Sequence, residues 1–546
     1  MMNHIQEVKN NGGFMNKEYL RWLNSDFISK EDKEILSNMT DEEIKESFNE
    51  ELEFGTAGIR GIMGLGISKL NKYTIGKVTL GLANYLNKKY TNPAVVIGYD
   101  TRNNSREFAF LTASILNHEG IKTYISKDIS STPFVSFSTK YLKADAGIVI
   151  TASHNPKEYN GYKVYNNNGG QIVSPTDKDI LKEIKLVDYS DVKESPISNN
   201  LFKYIDKEVM DMFNKENEKV IINKDLIDKY ARDLKITYTS LHGTGIRIVP
   251  FIFEKFGIRY NLVNEQCKID SEFSFAPLPN PEIEENYELG KKYARDLMSD
   301  VIIATDPDSD RIGLLYKDNN NYNLINGNMI GCMFLYYLLN NIKVVKGNYV
   351  VRSIVSSNLF DKIADYYQAD VVECLTGCKN IAAKRDIDPD NFLFGFEESL
   401  GYMFNININD KNAFSSIIFF LEILCYLKSR NMTVKDYIEE IYSKFGYYKH
   451  KTLSITFDNN KDRELLMDKL RKNNIFNANK TIDYLESREL KSNTIKFILN
   501  DNEYVMIRPS GTEPKIKVYL LVTDSSEPKA NDRLNLLIDK VNKGLK

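Results

Sequence analysis

Gly147-Ile148-Val149-Ile150-Thr151-Ala152-Ser153-His154-Asn155-Pro156 reads as a strand running out into a turn. Its first four residues are short, apolar and β-branched, the texture of a buried strand, and Asn155-Pro156 begins a turn. Ser153 is therefore expected to be displayed at the carboxyl end of the strand, not packed. Upstream, Ala94-Val95-Val96-Ile97-Gly98-Tyr99-Asp100 is a second strand, with helical stretches before it (Ile75 to Lys89) and after it (Ser105 to Glu119). Strand and helix alternate as in a parallel sheet with helical crossovers. Open α/β sheets place their ligands at the carboxyl ends of strands. One serine in an Asn-Pro turn is commonplace; its weight comes from what else the chain carries.

The same arrangement recurs downstream. Val301-Ile302-Ile303-Ala304-Thr305 is an apolar strand that empties into Asp306-Pro307-Asp308-Ser309-Asp310-Arg311. Three carboxylates at alternate positions can turn toward one point, and so dense a cluster is costly without a cation. Hard oxygen ligands favour Mg²⁺ or Mn²⁺ over zinc. An EF-hand is excluded, because Arg311 stands where that loop needs glycine and Lys317 where it needs a bidentate glutamate. Phe392-Leu393-Phe394-Gly395-Phe396-Glu397-Glu398-Ser399 is a strand ending in groups that can hydrogen-bond vicinal sugar hydroxyls. Toward the carboxyl end, two strands flank Pro509-Ser510-Gly511-Thr512-Glu513-Pro514-Lys515, where hydroxyls, glycine N–H groups, Arg508 and Lys515 suit a phosphate cradle. Before the first strand, Phe54-Gly55-Thr56-Ala57-Gly58-Ile59-Arg60-Gly61 is a glycine-dense loop carrying Arg60. Lys163 follows Ser153 by ten residues, and His242, in Leu241-His242-Gly243-Thr244-Gly245, reads as a structural loop histidine.

With 546 residues, 42% hydrophobic and 27% charged, the chain can bury several cores, and its length suggests three or four domains. A net charge of -3 gives no broad reason to bind nucleic acid or an anionic membrane, so any anion site is local. Five scattered cysteines suit reduced thiols in a cytoplasm better than a disulfide framework. Met1 to Phe14 is polar and unlike a signal peptide, and translation can start at Met1, Met2 or Met15. Asn16 to Glu51 reads as helices, with a capping box at Thr40 and Glu43. Ile417 to Leu427, interrupted by Glu422, is too short for a membrane span and reads as a core helix. A polar, charged stretch before residue 205, a new alternating block near Leu324 and a change of texture after Lys444 divide the chain into residues 1–205 with the serine turn and an N-terminal helical extension, 206–325 with the aspartate loop, 326–445 with the glutamate loop and 446–546 with the phosphate loop.

From Gly58-Ile59-Arg60-Gly61 to Arg508-Pro509-Ser510-Gly511-Thr512-Glu513-Pro514, these motifs stand in an order that resembles the α-D-phosphohexomutase family, which includes phosphoglucomutases and phosphomannomutases. The resemblance spans nearly the whole chain. It implies an α/β fold of four domains around a central cleft: three related α/β domains with mixed sheets and a C-terminal α+β domain. It makes Ser153 the carrier of the catalytic phosphate, and Asp306, Asp308 and Asp310, with an oxygen on Ser153, the Mg²⁺ ligands. Arg60 and Arg311 become partners of the reacting phosphoryl group, and Lys163 the proton-transfer lysine. Glu397 and Ser399 become readers of sugar hydroxyls; Arg508, Ser510, Gly511, Thr512 and Lys515 become the clamp on the idle phosphate. Lys379, after Thr376-Gly377, matches a lysine of the glucose-type enzymes, whereas Phe396 stands where many of them have glycine, a pattern nearer the phosphopentomutase-like branch.

The implied activity is reversible interconversion of glucose 1-phosphate and glucose 6-phosphate, with Mg²⁺ as cofactor and glucose 1,6-bisphosphate as activator and intermediate. Mannose or pentose phosphates are the alternatives within the family, and a metal-dependent phosphatase the alternative outside it. The expected partner is a phosphorylated sugar, with no nucleic acid and no membrane, for a cytoplasmic monomer or weak homodimer. A Ser-His-Asp hydrolase is set aside on the expectation that Ser153 and His154, as neighbours on an extended segment, point to opposite faces.

Overall fold

The computed structural model describes residues 16–55, 58–197, 200–500, 503–509 and 515–545. Short helices over Lys17–Asn24, Lys30–Ser37 and Asp41–Phe48 come first. The capping box forms at the third of them, where the Glu43 carboxylate accepts from the Thr40 N–H at 2.8 Å. These helices close over Trp22, which is fully buried with the rings of Phe48, Tyr73 and Tyr189 edge-on to it.

The first sheet holds β1 (Ile59–Ile62), β2 (Ala94–Tyr99), β3 (Lys122–Ile125), β4 (Ala146–Ile150), β5 (Tyr159–Asn166) and β6 (Phe202–Tyr204), in the order β1-β5-β4-β2-β3-β6. Strands β4, β2, β3 and β6 are parallel, and β5 returns antiparallel beside β4. The second sheet holds β7 (Lys235–Thr239), β8 (Arg259–Leu262), β9 (Val301–Thr305), β10 (Ile312–Asp318) and β11 (Asn321–Ile325), in the order β11-β10-β9-β7-β8. Here β8, β7 and β9 are parallel and β10 turns back along β9. In the third sheet, β12 (Tyr349–Ser353), β13 (Asp370–Cys374) and β14 (Phe392–Glu397) are parallel, and β15 (Gly401–Phe404) turns back along β14. The fourth sheet is antiparallel throughout: β16 (Tyr447–Thr456), β17 (Lys480–Asp483), β18 (Ile495–Asn500), β19 (Glu503–Pro509) and β20 (Lys515–Asp524), in the order β16-β20-β19-β18-β17. Helices Asn460–Lys472 and Glu527–Gly544 complete that domain.

A common device positions the functional loops. Each joins the end of one strand to the antiparallel strand beside it: β4 to β5, β9 to β10, β14 to β15 and β19 to β20. A connection this short delivers its side chains at the strand's carboxyl end with little freedom. In the three related domains it contains a non-glycine residue in the left-handed region: Ser153 at φ 53°, Ser309 at φ 55° and Leu400 at φ 66°. Such a conformation costs about 1–2 kcal/mol per residue and persists where the surroundings enforce it. The strands feeding the loops are rigid, as β4 and β9 are buried along their whole length.

Helix Ala413–Ser429 contains the apolar run expected in the core and is buried on all sides. Its one acid, Glu422, accepts from the N–H groups of Ile222 and Asn223 and from the Tyr337 hydroxyl, each at 2.8 Å, so the buried carboxylate has partners. Among the described residues, no helix is long and apolar enough to cross a membrane.

Candidate active site

Ser153 leaves β4 on the turn anticipated from Asn155-Pro156, but its hydroxyl is not displayed to solvent. The residue is 3% exposed, and Oγ donates to Asp306 Oδ2 across the domain boundary at 2.8 Å. The extended-segment expectation is also corrected. Left-handed φ at Ser153 rotates the chain and brings His154 Nδ1 to 3.3 Å from Ser153 Oγ. Burial, reinforced by the charges of Arg311 and Arg60, holds the His154 pKa well below its ordinary value, so its imidazole is neutral and a weak base.

The aspartates converge as their spacing predicts, with one oxygen from each lying within 4.8 Å of the others. Asp306 Oδ1 accepts from the N–H groups of Asp310 and Arg311 at 3.1 and 3.0 Å. Asp308 Oδ2 accepts from Thr132 Oγ1 at 2.7 Å and from Lys163 Nζ at 2.6 Å. Lys411 Nζ lies 3.1 Å from Asp310 Oδ2, and Arg311 Nε lies 3.7 Å from Asp310 Oδ1. Asp308 Oδ1 and Asp310 Oδ1 are buried with no hydrogen-bond donor. Two bare carboxylate oxygens beside a third carboxylate and a hydroxyl form a hard donor set that fits Mg²⁺. Burial pushes the Asp306 pKa well up, and Asp308 and Asp310 beside it push the same way. Burial acts on Asp308 too, but Lys163 and Thr132 outweigh it and hold that carboxyl below its usual range. Lys163 is opposed by burial and supported by Asp308 and Asp310, with its pKa raised on balance.

The turn that follows Ser153 borders, at His154, Asn155 and Pro156, a cavity of about 1450 Å³ with walls from the first, third and fourth domains; Ser153, Arg311, Glu397 and Ser399 are not among its lining residues. Arg60, Lys69, Lys163, Lys379, Arg508, Lys515 and Lys517 line it, and among the described residues no carboxylate does. Such a wall suits a multiply anionic ligand. Arg60 Nη1 donates to Asn155 Oδ1 at 2.8 Å, tying the glycine loop to the serine turn. Lys379 lies in the first turn of the helix Cys378–Ile387 after β13, and burial lowers its pKa. Glu397 ends β14 and accepts from the Gly377 N–H at 2.6 Å, which sets it beside the Lys379 loop. The next residue, Glu398, accepts from Ser353 Oγ at 2.9 Å, and burial followed by the charge of Glu397 pushes it up to about 7. Ser399 follows, half-buried. Arg508 hydrogen-bonds Thr376 Oγ1, which joins the fourth domain to the Lys379 loop. Ser510, Gly511 and Thr512 lie outside the described residues.

Phe396 faces away from this cavity. It is fully buried, its ring centroid is 4.7 Å from that of Phe360, and a Cβ at Gly331 would meet its ring at 2.5 Å. The departure at this position is therefore core packing between β14 and the helix Gly327–Asn341.

Several residues of the site lay outside the sequence reading. Lys411 reaches Asp310 from the third domain, and Thr132 reaches Asp308 from the first. Lys517, opposite Arg508 in the β19–β20 register, adds a cation to the cavity wall. Arg102 is buried beneath the serine turn and donates to the carbonyls of Ser153, Asn155, Pro156 and Tyr159. One signal was available: Asp100 and Arg102 end β2 as Ser153 follows β4, and β2 and β4 are neighbours.

Comparison with known proteins matches the chain to the family described as phosphoglucomutase/phosphomannomutase: alpha/beta/alpha domain I over residues 51–191, domain II over 212–319, domain III over 326–445 and the C-terminal domain over 461–531. A curated relative from Staphylococcus haemolyticus, named phosphoglucomutase, is 37% identical over 90% of this chain and 94% of its own. Another with that name, from Staphylococcus aureus, is 36% identical over 93% and 96%. Among solved structures, the open form of parafusin from Paramecium, titled a phosphoglucomutase, aligns at TM-score 0.72 and 18% identity over 91% of this chain and 95% of its own. A phosphoglucomutase/phosphomannomutase family protein from Burkholderia thailandensis aligns at TM-score 0.68 and 17% identity over 89% and 96%. At those identities the structural likeness speaks for the fold.

Proposed function

We propose a function for this chain from one premise: it belongs to the phosphoglucomutase/phosphomannomutase family. The reading is a phosphoglucomutase that interconverts glucose 1-phosphate and glucose 6-phosphate through a phosphorylated Ser153 and glucose 1,6-bisphosphate. The observation that carries it is the Ser153 hydroxyl at 2.8 Å from a buried carboxylate cluster, in a turn whose next residues line a cavity walled by cations. A serine that stores a phosphate needs charge compensation on one side and an anionic acceptor on the other. The site offers both.

Phosphoryl transfer asks the protein for position and charge more than for covalent chemistry. Asp306, Asp308, Asp310 and a Ser153 oxygen would hold Mg²⁺, which supplies positive charge next to the phosphate. Arg311 and Arg60 flank the cluster and meet charge on the moving group. Lys163, kept protonated by Asp308 and Asp310, serves as proton donor when Ser153 Oγ leaves. His154 Nδ1, 3.3 Å from that oxygen, can accept a hydrogen bond from it and so orient it, while its depressed pKa makes it a poor base. Glu397 and Ser399 read the sugar hydroxyls, with Lys379 alongside. Arg508, Ser510, Gly511, Thr512 and Lys515 grip the phosphate that is not reacting. The bisphosphate must turn around for either end to reach Ser153, so this clamp accepts both orientations and closes the cavity to water during transfer.

Glucose is favoured over mannose or pentose by Lys379 and by the curated relatives' names, and Phe396, being core, does not weigh against it. The test is kcat/KM on glucose 1-phosphate, mannose 1-phosphate and ribose 1-phosphate, with and without glucose 1,6-bisphosphate, alongside free phosphate release. Highest kcat/KM on glucose 1-phosphate with stimulation by the bisphosphate supports the reading. Phosphate release outrunning isomerisation would replace it with a phosphatase.

A further inference from the structure

The serine turn holds a strained residue, and its restraint comes from two domains. Arg102 points its guanidinium into the turn and donates to four carbonyls: Ser153 and Asn155 at 2.5 Å, Pro156 at 2.7 Å and Tyr159 at 3.0 Å. A planar fork with five donors can satisfy such a set, whereas a lysine ammonium is a point with three. Asp100 compensates the charge from below, with Oδ2 at 3.2 Å from Arg102 Nε. The same oxygen accepts from Thr151 Oγ1 at 2.6 Å, and Thr151 Oγ1 accepts from the Ser153 N–H at 2.8 Å. Arg102 and Asp100 thus hold Ser153 by its carbonyl and by its amide.

The other face of the guanidinium is covered by the second domain. The Phe273 ring centroid lies 4.9 Å from the Arg102 guanidinium carbon, a cation–π contact away from solvent, and Phe273 is fully buried. Phe273 rides on a strap, residues 267–281, which is tied across the boundary by Glu272. That carboxylate accepts from Asn103 at 2.9 Å and from Lys157, inside the serine turn, at 2.6 Å. His242 secures the strap on its own side. Its Nε2 accepts from the Phe275 N–H at 3.2 Å, its Nδ1 lies 3.0 Å from the Lys268 carbonyl, and these partners assign the neutral tautomer with the proton on Nδ1. The next residues touch the aspartate loop: the Thr244 N–H donates to the Pro307 carbonyl at 2.8 Å, and a Cβ on Gly243 would lie 2.4 Å from Pro307 Cα. One turn of the second domain therefore braces the aspartate loop on one side and the strap on the other.

We infer that Arg102 and the strap carrying Phe273 form a positioning device that fixes Ser153 Oγ relative to the aspartate cluster. This rests on the reading of Ser153 as the phosphoryl carrier. Neither Arg102 nor Phe273 touches the reacting atoms; both act through the geometry of the turn. Their contribution falls mainly on the rate of phosphoryl transfer, because neither side chain lines the cavity and its cations stand on other elements, although the turn they hold supplies Asn155, Pro156 and Tyr159 to the wall.

The test is the single-turnover rate of Ser153 phosphorylation by glucose 1,6-bisphosphate, followed by rapid quench and intact mass, in the full-length protein and in Phe273→Leu, Phe273→Ala and Arg102→Lys. Phe273→Leu keeps an apolar side chain and removes the π face, so it guards against failure of the alanine variant to fold. About a tenfold slowing in Phe273→Leu and about a hundredfold in Arg102→Lys are expected, with KM for glucose 1-phosphate within twofold. Unchanged single-turnover rates, even with a lowered Tm, would reduce the strap to packing and overturn the inference. A wild-type protein that takes no phosphate on Ser153 would instead remove the carrier reading, and the inference with it.

Discussion

The junction of the first three domains and the attachment of the fourth are built on different terms. Around Asp310 the junction is stitched by buried charge: Lys411 of the third domain reaches Asp310 of the second, while Tyr165 and Gln171 of the first both donate to Asp410 at 2.9 Å. Thr132 adds a hydroxyl from the first domain to Asp308, and its own N–H donates to the Asp308 carbonyl at 2.9 Å. The fourth domain meets the third through an apolar seam, in which Tyr448, Tyr504, Met506, Tyr519 and Leu521 join the buried cluster of the third domain, with the Tyr504 hydroxyl donating to the carbonyls of Val355 and Ser356 and Arg508 bonded to Thr376. Removing one partner from a buried charged set costs about 3–5 kcal/mol, so the junction resists displacement. A domain held chiefly against one neighbour can move as a body, and the proposed function calls for such movement in a clamp that receives either end of a bisphosphate. Under the proposed function this contrast becomes a division of labour: the groups assigned to the reaction are held by the junction, and the grip on the idle phosphate falls to the fourth domain.

Three variants bear on that contrast. Asp308→Asn attacks the junction, because it removes a ligand and leaves Lys163 without its closest counter-charge. A loss of about 10²-fold or more in turnover is expected, with weaker Mg²⁺ binding by calorimetry; unchanged metal affinity would count against the cluster as a metal site. Arg508→Ala attacks the attachment. Loss of a charge-assisted phosphate contact of about 1.5–3 kcal/mol raises KM by about 10–100-fold with Tm nearly unchanged, and an unaltered KM would reject the clamp.

Lys496→Met probes the contact between the third and fourth domains alone. Lys496 is 7% exposed with Nζ 4.3 Å from the Tyr504 ring centroid, and burial, then Arg352, lowers its pKa to about 8. The unfolded chain, titrating near 10.5, holds the proton more tightly, so wild-type stability rises with pH between about 8 and 10.5 and the full penalty applies below 8. Lys496→Met is expected to be more stable at pH 7 by about 2 kcal/mol, with the gain shrinking toward pH 10. Equal Tm values across that range would show that the contact does not strain the lysine.

What was legible in the sequence was local. β4 with Ser153, β9 with its aspartates and β14 with its glutamates each put strand and functional loop within a dozen residues, so strand chemistry and loop chemistry could be read together. The cross-domain partners were not legible, because Thr132 and Lys411 acquire meaning only when different domains meet, and Arg102 acquires its own only once β2 is seen to lie beside β4. The proximity of His154 to Ser153 escaped for a different reason. An extended segment separates neighbouring side chains, and nothing in Ala152-Ser153-His154 announces the left-handed φ that reunites them. Phe396 shows the converse: a motif position that invited a functional reading is occupied for packing.

The fate of one phosphate decides whether Ser153 is the carrier. Incubation with glucose 1,6-bisphosphate, followed by peptide mapping by mass spectrometry, should find a single phosphate on Ser153, and a chase with unlabelled glucose 1-phosphate should transfer it to the sugar. Glucose 6-phosphate formation with Ser153 unmodified, or with the label fixed on Ser153 through many turnovers, would contradict that role.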